Sequence, residues 1–246
     1  MKNLMDYLNK NQGTIIPSAG NGQQFNLLTE QNFPAILLDA TLTAENLLGE
    51  NSQGLLSLSE YSKFERDMNL KKKSSLIADL QSGFGSPLNT YYATKELERS
   101  GADILILNDQ PFPAHTSNDP QSTSPEDLLG KAKAATDALE NPATRLWIKL
   151  EGIQNYGFAG IEKRTEYLKN IGVDAIIIDH FQNKELAELA DQNLPLPLLA
   201  TWMPEAPKID GILGWIDKGL IAQTEKESDL AAIHEIKQGG LAYAKK

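Results

Sequence analysis

Acidic, amide and basic residues follow directly after several short apolar runs in this sequence. They are Asp39, Asp79, Gln81, Asn108, Asp109, Lys149, Glu151, Asp179, His180 and Thr201. Carboxylates beside a lysine and a histidine can bind a divalent cation, transfer a proton or hold an anionic substrate. Any one of these residues could equally cap a helix. The set therefore indicates a functional site only if the apolar runs bring its members to one edge of the fold.

The apolar runs alternate with segments of helical periodicity, which is the pattern of an α/β protein. The sequence predicts eight strands, at residues 14–17, 35–38, 75–78, 104–107, 146–150, 175–178, 196–200 and 220–222. It predicts helices at residues 57–68, 87–99, 124–139, 161–170, 184–192, 209–218 and 229–238. Eight such strands in a chain of this length favour one domain, residues 1–246, folded as an α/β (β/α)8 TIM barrel. An open doubly wound sheet is the alternative, but its usual glycine-rich phosphate loop is not found in the sequence.

In a TIM barrel the carboxyl ends of all strands meet at one mouth, where active sites lie. We therefore expect the polar residues that end the strands to meet there. His180 is either a catalytic group or the cap of the following helix. His115 lies in the long polar segment 109–123, and loops of that length are often functional, so it is a candidate proton donor.

Composition excludes several classes of function. The formal net charge is −10, which argues against nucleic acid as the main partner. No cysteine is present, so disulfides, thiolate catalysis and zinc–thiolate sites are excluded. The N-terminus has no secretory pattern and no run of 18 apolar residues occurs, so we expect a cytoplasmic protein without a membrane partner.

Three motifs stand in the order and spacing of a known family. Residues 77–85 read Ile-Ala-Asp-Leu-Gln-Ser-Gly-Phe-Gly, so an acid ends a strand before a Gly-aromatic-Gly turn. Residues 96–101 read Glu-Leu-Glu-Arg-Ser-Gly, and residues 108–113 read Asn-Asp-Gln-Pro-Phe-Pro. With these motifs the chain resembles the isocitrate lyase / phosphoenolpyruvate mutase superfamily. The likeness runs from about Ile15 to Ala200, and its specific core lies between Gly54 and Pro113.

The resemblance implies a magnesium site, but this sequence departs from the family pattern. Asp79 matches the aspartate that binds the metal directly. Three other family acids are replaced: Gln81 and Asn108 stand at two of the positions, and the third falls near Ser52. The family's Arg and Asp of strand five match Lys149 and Glu151. Mg2+ binding therefore either survives through Asp79, Glu151 and Asp179 or has been lost.

The resemblance also implies a reaction. We expect an enzyme that acts on a small 2-oxo acid or related carboxylate and cleaves or forms a C–C bond, less favourably a P–C bond, through a metal-stabilised enolate. The implied catalytic residues are Lys149, which would hold a carboxylate or oxyanion, His115 as the loop acid, and Asp109. The implied substrate contacts are Gln81, Gly83, Asn108 and Thr201. The alternative is a catalytically inactive barrel that acts as a binding or regulatory protein.

Assembly gives one further expectation. Family members commonly exchange an additional C-terminal helix between subunits. The sequence continues for one predicted helix after the eighth predicted strand. We therefore expect a possible homo-oligomer without a C-terminal helix swap.

Overall fold

The structure of the protein is a computed structural model that describes residues 4–115 and 121–244. The strands are β1 Thr14–Ile16, β2 Ser18–Ala19, β3 Ala35–Leu38, β4 Ser75–Gln81, β5 Ile104–Asn108, β6 Arg145–Leu150, β7 Ala175–Ile178, β8 Leu198–Trp202 and β9 Gly214–Asp217. The helices are α1 Leu4–Lys10, α2 Gly22–Glu30, α3 Ala40–Leu48, α4 Leu58–Asn69, α5 Pro87–Ser100, α6 Pro125–Ala138, α7 Ile153–Asn170, α8 Asn183–Ala190 and α9 Leu220–Ala244. None of the helices in these two ranges has both the length and the apolar character that a bilayer crossing requires.

All the strand pairs are parallel, and the strands form a nearly closed barrel in the order β1-β9-β8-β7-β6-β5-β4-β3-β2. The two ends of this order, β1 and β2, are consecutive in the chain and are separated only by Pro17. Proline has no N–H to donate, so it interrupts the ladder. Thr14 pairs with Gly214 on one side of the break, and Ser18 pairs with Leu37 on the other. The chain through Pro17 thus closes the barrel, and the predicted TIM-barrel fold is confirmed.

Two apolar layers hold the barrel together. The inner layer fills the barrel and includes Ile77, Ile106, Trp147, Ile177, Leu199 and Ile216. Leu4 and Leu8 of α1 belong to this inner layer. The outer layer packs the opposite faces of the same strands against the surrounding helices, for example through Ile148 and Leu128.

The residues that face the barrel interior change from apolar to polar at the carboxyl ends of the strands. Successive side chains alternate between the two faces, so a residue two positions after an interior residue again faces inward. At the carboxyl ends the interior series passes from apolar to polar: Ile77 to Asp79, Trp147 to Lys149, Ile177 to Asp179, and Leu199 to Thr201. The barrel interior is therefore apolar below and charged at the mouth.

The last strand lies elsewhere than predicted. The sequence predicts a helix at 209–218 and a strand at 220–222, and both predictions are wrong. Gly214–Asp217 forms β9 between β8 and β1, and Leu220 begins α9. The run from Ile212 to Ile216 is apolar at four of its five positions, so it fits a helix face and a doubly buried strand equally well. Pairing on both edges decides for the strand.

Most other boundaries agree with the predictions to within a few residues, but the helix predicted at 229–238 is part of α9, which runs from Leu220 to Ala244. Ser57 and Glu60 form the predicted capping box of α4. Pro87 starts α5, and Gly101 ends it. Helix α7 begins at Ile153, earlier than predicted, and is interrupted at Gly157, whose φ is 59°. Helices α1, α2 and α3 were not predicted.

Candidate active site

A cavity of about 590 Å³ opens at the carboxyl ends of the strands. Its wall includes the predicted residues Asp79, His115, Lys149, Asp179 and Thr201. They come from β4, the segment after β5, β6, the end of β7, and β8. Residues far apart in the sequence are thus gathered at one mouth, as the barrel topology requires.

Lys149 is held between two buried carboxylates. Its Nζ lies 3.0 Å from Glu151 Oε1 and 3.1 Å from Asp179 Oδ2. Burial acts to lower the pKa of Lys149, but Glu151 and Asp179, with Asp39 and Asp79 further away, raise it well above the usual value. The lysine is therefore a permanent cation at the centre of the site.

The second oxygen of Asp179 is surrounded by donors. Oδ1 accepts hydrogen bonds from Thr201 Oγ1 at 2.8 Å, Lys218 Nζ at 2.9 Å and the His180 backbone N–H at 2.8 Å. Burial acts to raise the pKa of Asp179, but Lys149 and Lys218 lower it below the usual value. Asp179 is consequently ionised and fixes two lysines.

His115 is joined to Glu151 and to two glutamine side chains. Its Nε2 lies 2.8 Å from Glu151 Oε2, and its Nδ1 lies 2.6 Å from Gln53 Nε2. Its backbone N–H donates to Gln110 Oε1 at 3.0 Å, and Gln110 Nε2 donates to Glu151 Oε2 at 2.6 Å. Because the Gln53 amide nitrogen can only donate, Nδ1 accepts, and the ring proton lies on Nε2. Despite its burial, Glu151 has a pKa lowered well below the usual value by Lys149 and His115.

Asp79 has a different environment from Glu151 and Asp179. Its Oδ1 accepts from the Gln81 N–H at 2.8 Å, and its own N–H donates to the Tyr61 hydroxyl at 2.7 Å. Burial and the nearby charge of Asp39 raise the pKa of Asp79 to about 7, while Lys149 opposes the shift. Neither Asp39 nor Asp79 has an ion pair among the residues that the structure describes.

Three residues could hold a divalent metal. Ligand atoms of Glu151, Asp179 and His180 all lie within 4.8 Å of one another. Of the predicted metal ligands, Glu151 and Asp179 thus belong to one group, its third member is His180, and Asp79 stands outside it. The oxygen ligands suit a hard divalent cation, although Glu151 and Asp179 already share the charge of Lys149, and Asp179 also pairs with Lys218.

Asp79 also fits a cation, for a different reason. It is a buried carboxylate at the cavity wall, next to a second carboxylate and without a lysine of its own. Buried charge of this kind is costly unless a cation or a proton neutralises it. The oxygen atoms of Asp79 and Asp39 are of the type that Mg2+ binds.

Of the other predicted residues, Asp39 and His180 also line the cavity, whereas Gln81, Gly83, Asn108, Asp109 and Glu151 are not part of the wall that the described residues form. Asp109 is buried and accepts from Tyr156 Oη at 2.6 Å and from the Glu151 N–H at 2.8 Å. Burial raises the pKa of Asp109 to about 6. Asn108 accepts from the Gln110 N–H at 3.1 Å, so it supports the loop that carries Gln110. Asp109 and Asn108 are therefore placed behind the residues that face the cavity.

The turn after β4 contains the other two predicted contacts. Gln81 is fully buried, and within the described part of the chain its side-chain amide has no hydrogen-bond partner. Gly83 has a φ of +84°, and a Cβ there would lie 2.1 Å from Thr90 Oγ1. Gly83 is therefore required by backbone geometry. Substrate contact by Gln81, Gly83 and Asn108 stays a prediction.

Sequence reasoning missed Lys218, Gln53 and Gln110. Lys218 was placed at the end of a helix that does not exist, so its position at the mouth could not be inferred. Its spacing of two residues from the interior Ile216 was the available signal. Gln53 and Gln110 lie in connecting segments, whose course a strand pattern does not define.

This chain is similar in sequence to several curated proteins. No protein-family model matches it. A 2,3-dimethylmalate lyase from Eubacterium barkeri is 23% identical over 194 residues, which make up 78% of this chain and 67% of that protein. An oxaloacetate decarboxylase from Rhodopseudomonas palustris is 26% identical over 167 residues, which make up 68% of this chain and 58% of that protein.

Two solved structures share the fold. A 2,3-dimethylmalate lyase, described as a PEP mutase/isocitrate lyase superfamily member, aligns with a TM-score of 0.84 at 17% identity, covering 96% of this chain and 84% of that chain. A phosphonopyruvate hydrolase in complex with oxalate and Mg2+ aligns with a TM-score of 0.83 at 20% identity, covering 97% of this chain and 87% of that chain.

Proposed function

We propose, because the chain belongs to the isocitrate lyase / phosphoenolpyruvate mutase superfamily, that it is an enzyme acting on a small 2-oxo acid or related carboxylate. The proposed reaction cleaves or forms a C–C bond, and a P–C bond is the less favoured possibility. The observation that carries the proposal is a permanently charged lysine, Lys149, fixed by two buried carboxylates at the wall of an open cavity.

Lys149 is proposed to bind the substrate anion. Cleavage of a C–C bond next to a carbonyl leaves its electron pair on an enolate, and the negative charge develops on the enolate oxygen. An ammonium that is already positioned stabilises this charge without reorganisation during the reaction. Glu151 and Asp179 hold Lys149 in place, so it can contact a carboxylate or the enolate oxygen without changing its protonation state.

His115 is proposed to supply the proton that converts the enolate into the product. Its Nε2 proton faces Glu151 Oε2 at 2.8 Å, and its side chain is 20% exposed. Transfer requires Nε2 to exchange Glu151 for the enolate carbon, and Nδ1 to take a proton from solvent in place of its Gln53 hydrogen bond, so that the ring stays neutral. Gln53, on the opposite ring nitrogen, holds the tautomer that carries the proton on Nε2.

Mg2+ at Asp79 is the proposed cofactor. When bound, the ion would supply Lewis-acid stabilisation of the enolate oxygen. Asp79 is favoured over Glu151, Asp179 and His180 because the last group already carries the charge of Lys149. One relative is described in complex with oxalate and Mg2+, which supports a small carboxylate and a divalent cation at this site.

The inactive-barrel alternative predicts ionisable groups paired with one another in a pocket filled by side chains. Glu151 and Asp179 are paired, but the cavity of about 590 Å³ is open and Asp79 has no ion pair among the described residues. These two features favour the enzyme. Cytoplasmic location and an oligomer without helix exchange remain predictions.

Turnover of several acids tests the proposal. Oxaloacetate, phosphonopyruvate and 2,3-dimethylmalate would be incubated with the protein and Mg2+, and product formation followed by NMR. We expect turnover of at least one acid and a loss of about 100-fold or more in Lys149→Met, as for the removal of a group that stabilises developing charge. Lys184→Met is the control, because Lys184 is 87% exposed on α8. Wild-type protein that binds one of these acids without converting it would support the inactive barrel instead.

A further inference from the structure

Lys218 lies at the wall of the cavity, next to Asp179. It follows the interior residue Ile216 by two positions, and both line the cavity. Its Nζ lies 2.9 Å from Asp179 Oδ1, and its side chain is 38% exposed. It is thus a second ammonium group at the wall, more open to solvent than Lys149, whose side chain is 22% exposed.

The backbone around Lys218 is fixed. Its N–H donates to the Trp202 carbonyl at 3.2 Å, which continues the pairing between β8 and β9. The next residue, Gly219, has a φ of +93°, and a Cβ there would lie 2.9 Å from the Leu42 side chain. Asp217 Oδ1 accepts from the Leu220 N–H at 3.1 Å and caps the start of α9. Lys218 is therefore held between a strand end and a helix start.

The hydrogen bonding of Lys218 is incomplete. A lysine ammonium has three donors. Among the residues that the structure describes, Lys218 Nζ makes one hydrogen bond, to Asp179 Oδ1. That oxygen also accepts hydrogen bonds from Thr201 Oγ1 and the His180 N–H, so Lys218 shares it with two other donors. Two N–H groups of Lys218 are thus available to an anion in the cavity.

The two lysines lie on different oxygens of one carboxylate. Lys149 contacts Asp179 Oδ2, and Lys218 contacts Asp179 Oδ1. Lys149 has Glu151 as a second partner, whereas Lys218 has only Asp179 among the described carboxylates. The cavity therefore contains two neighbouring cations: Lys149, which has two carboxylate partners, and Lys218, which has one.

We infer that Lys218 sets specificity by binding a second anionic group of the substrate, while Lys149 binds the first. The inference rests on the proposed function. A monocarboxylate satisfies Lys149 alone, and a dicarboxylate that extends across Asp179 reaches Lys218 as well. Charge-assisted hydrogen bonds of this kind change affinity by about 10- to 100-fold.

Lactate and malate provide a matched pair of probes, because malate is lactate with one further carboxylate. Each would be titrated by calorimetry, with Mg2+ present, into the wild type, Lys218→Met, Lys218→Arg and Lys226→Met. Lys226 is the control because it also lines the cavity, but it pairs with Glu45 and its side chain is 66% exposed. Thermal unfolding of each variant checks that it is folded.

The expected result is a malate affinity about 10- to 100-fold lower in Lys218→Met, with lactate affinity unchanged and partial recovery in Lys218→Arg. An equal loss for both acids would overturn the inference, because Lys218 would then act only by positioning Asp179. An equal loss of malate affinity in Lys226→Met would also overturn it, since any positive charge at the mouth would suffice. Wild type that binds malate but is insensitive to Lys218→Met refutes the inference alone, as does wild type that binds lactate but not malate. Wild type that binds neither acid, and converts none of the three acids of the turnover assay, refutes the proposed function with it.

Discussion

The carboxylates on β6 and β7 and those on β3 and β4 have opposite charge environments. Glu151 and Asp179 share the ammonium of Lys149, and their pKa values are lowered. Asp79, beside Asp39 and without an ion pair among the described residues, has a pKa raised to about 7. Asp79, Glu151 and Asp179 are all buried, so burial alone does not decide the ionisation state. The neighbouring charges do: Lys149 lowers the pKa values of Glu151 and Asp179, whereas Asp39 raises that of Asp79.

This difference suggests that the two sides of the cavity bind different groups. On the β6–β7 side Lys149 and Lys218 pair with Glu151 and Asp179, which suits the binding of an anionic substrate by a lysine, Lys149, that stays charged. The β3–β4 side has an excess of negative charge, which suits a divalent cation or a proton. A substrate between them would contact a lysine on one side and a metal-bearing acid on the other.

We expect the largest effect on stability from the substitution of Lys149. In Lys149→Met two buried carboxylates lose their common cation, so we expect the free energy of unfolding to fall by about 3 to 5 kcal/mol. Urea denaturation at pH 7 measures the change. The double variant Lys149→Met/Glu151→Gln should recover part of the loss, because one of the two unpaired charges is then removed. A loss below about 1 kcal/mol in the single variant would mean that the acids are neutralised by other means.

Substitution of Asp79 by a neutral residue should raise the free energy of unfolding, whereas substitution of Lys149 should lower it. The unfolded-state carboxyl ionises near pH 3.8, whereas the folded one ionises near pH 7, so without metal the protein loses stability as pH rises between these values. Asp79→Asn removes this loss, and we expect it to raise the free energy of unfolding above pH 7 by about 1 to 4 kcal/mol. Denaturation in EDTA at pH 5 and pH 8 measures the effect. Equal stability of wild type and variant at pH 8 would show that Asp79 is already neutralised by a group of the protein.

The sequence allowed prediction of the barrel and of the residues that strand periodicity controls. Asp79, Lys149 and Asp179 could be placed at one mouth because each ends a continuous apolar run that can only be a buried strand. The β9 strand and Lys218 could not be placed, because the run from Ile212 to Ile216 fits either type of element.

Two further features could not be predicted from the sequence. They are the split of the first strand at Pro17 and the pairing of acids with lysines. Pairing depends on side-chain distances across neighbouring strands, such as the 3.1 Å between Lys149 Nζ and Asp179 Oδ2. A single sequence carries no record of such distances. The same holds for the choice of His180 over Asp79 as the neighbour of Glu151 and Asp179.

Calorimetric titration of Mg2+ in the presence of oxalate tests most directly whether the metal binds at Asp79, on the β3–β4 side of the cavity. It requires the wild type, Asp79→Asn and His180→Ala, whose side chain belongs to the competing ligand group. We predict binding in the wild type and in His180→Ala, and none in Asp79→Asn. Binding that survives in Asp79→Asn but is lost in His180→Ala would place the metal beside Lys149 and contradict the account, as would the failure of the wild type to bind Mg2+ and oxalate at all.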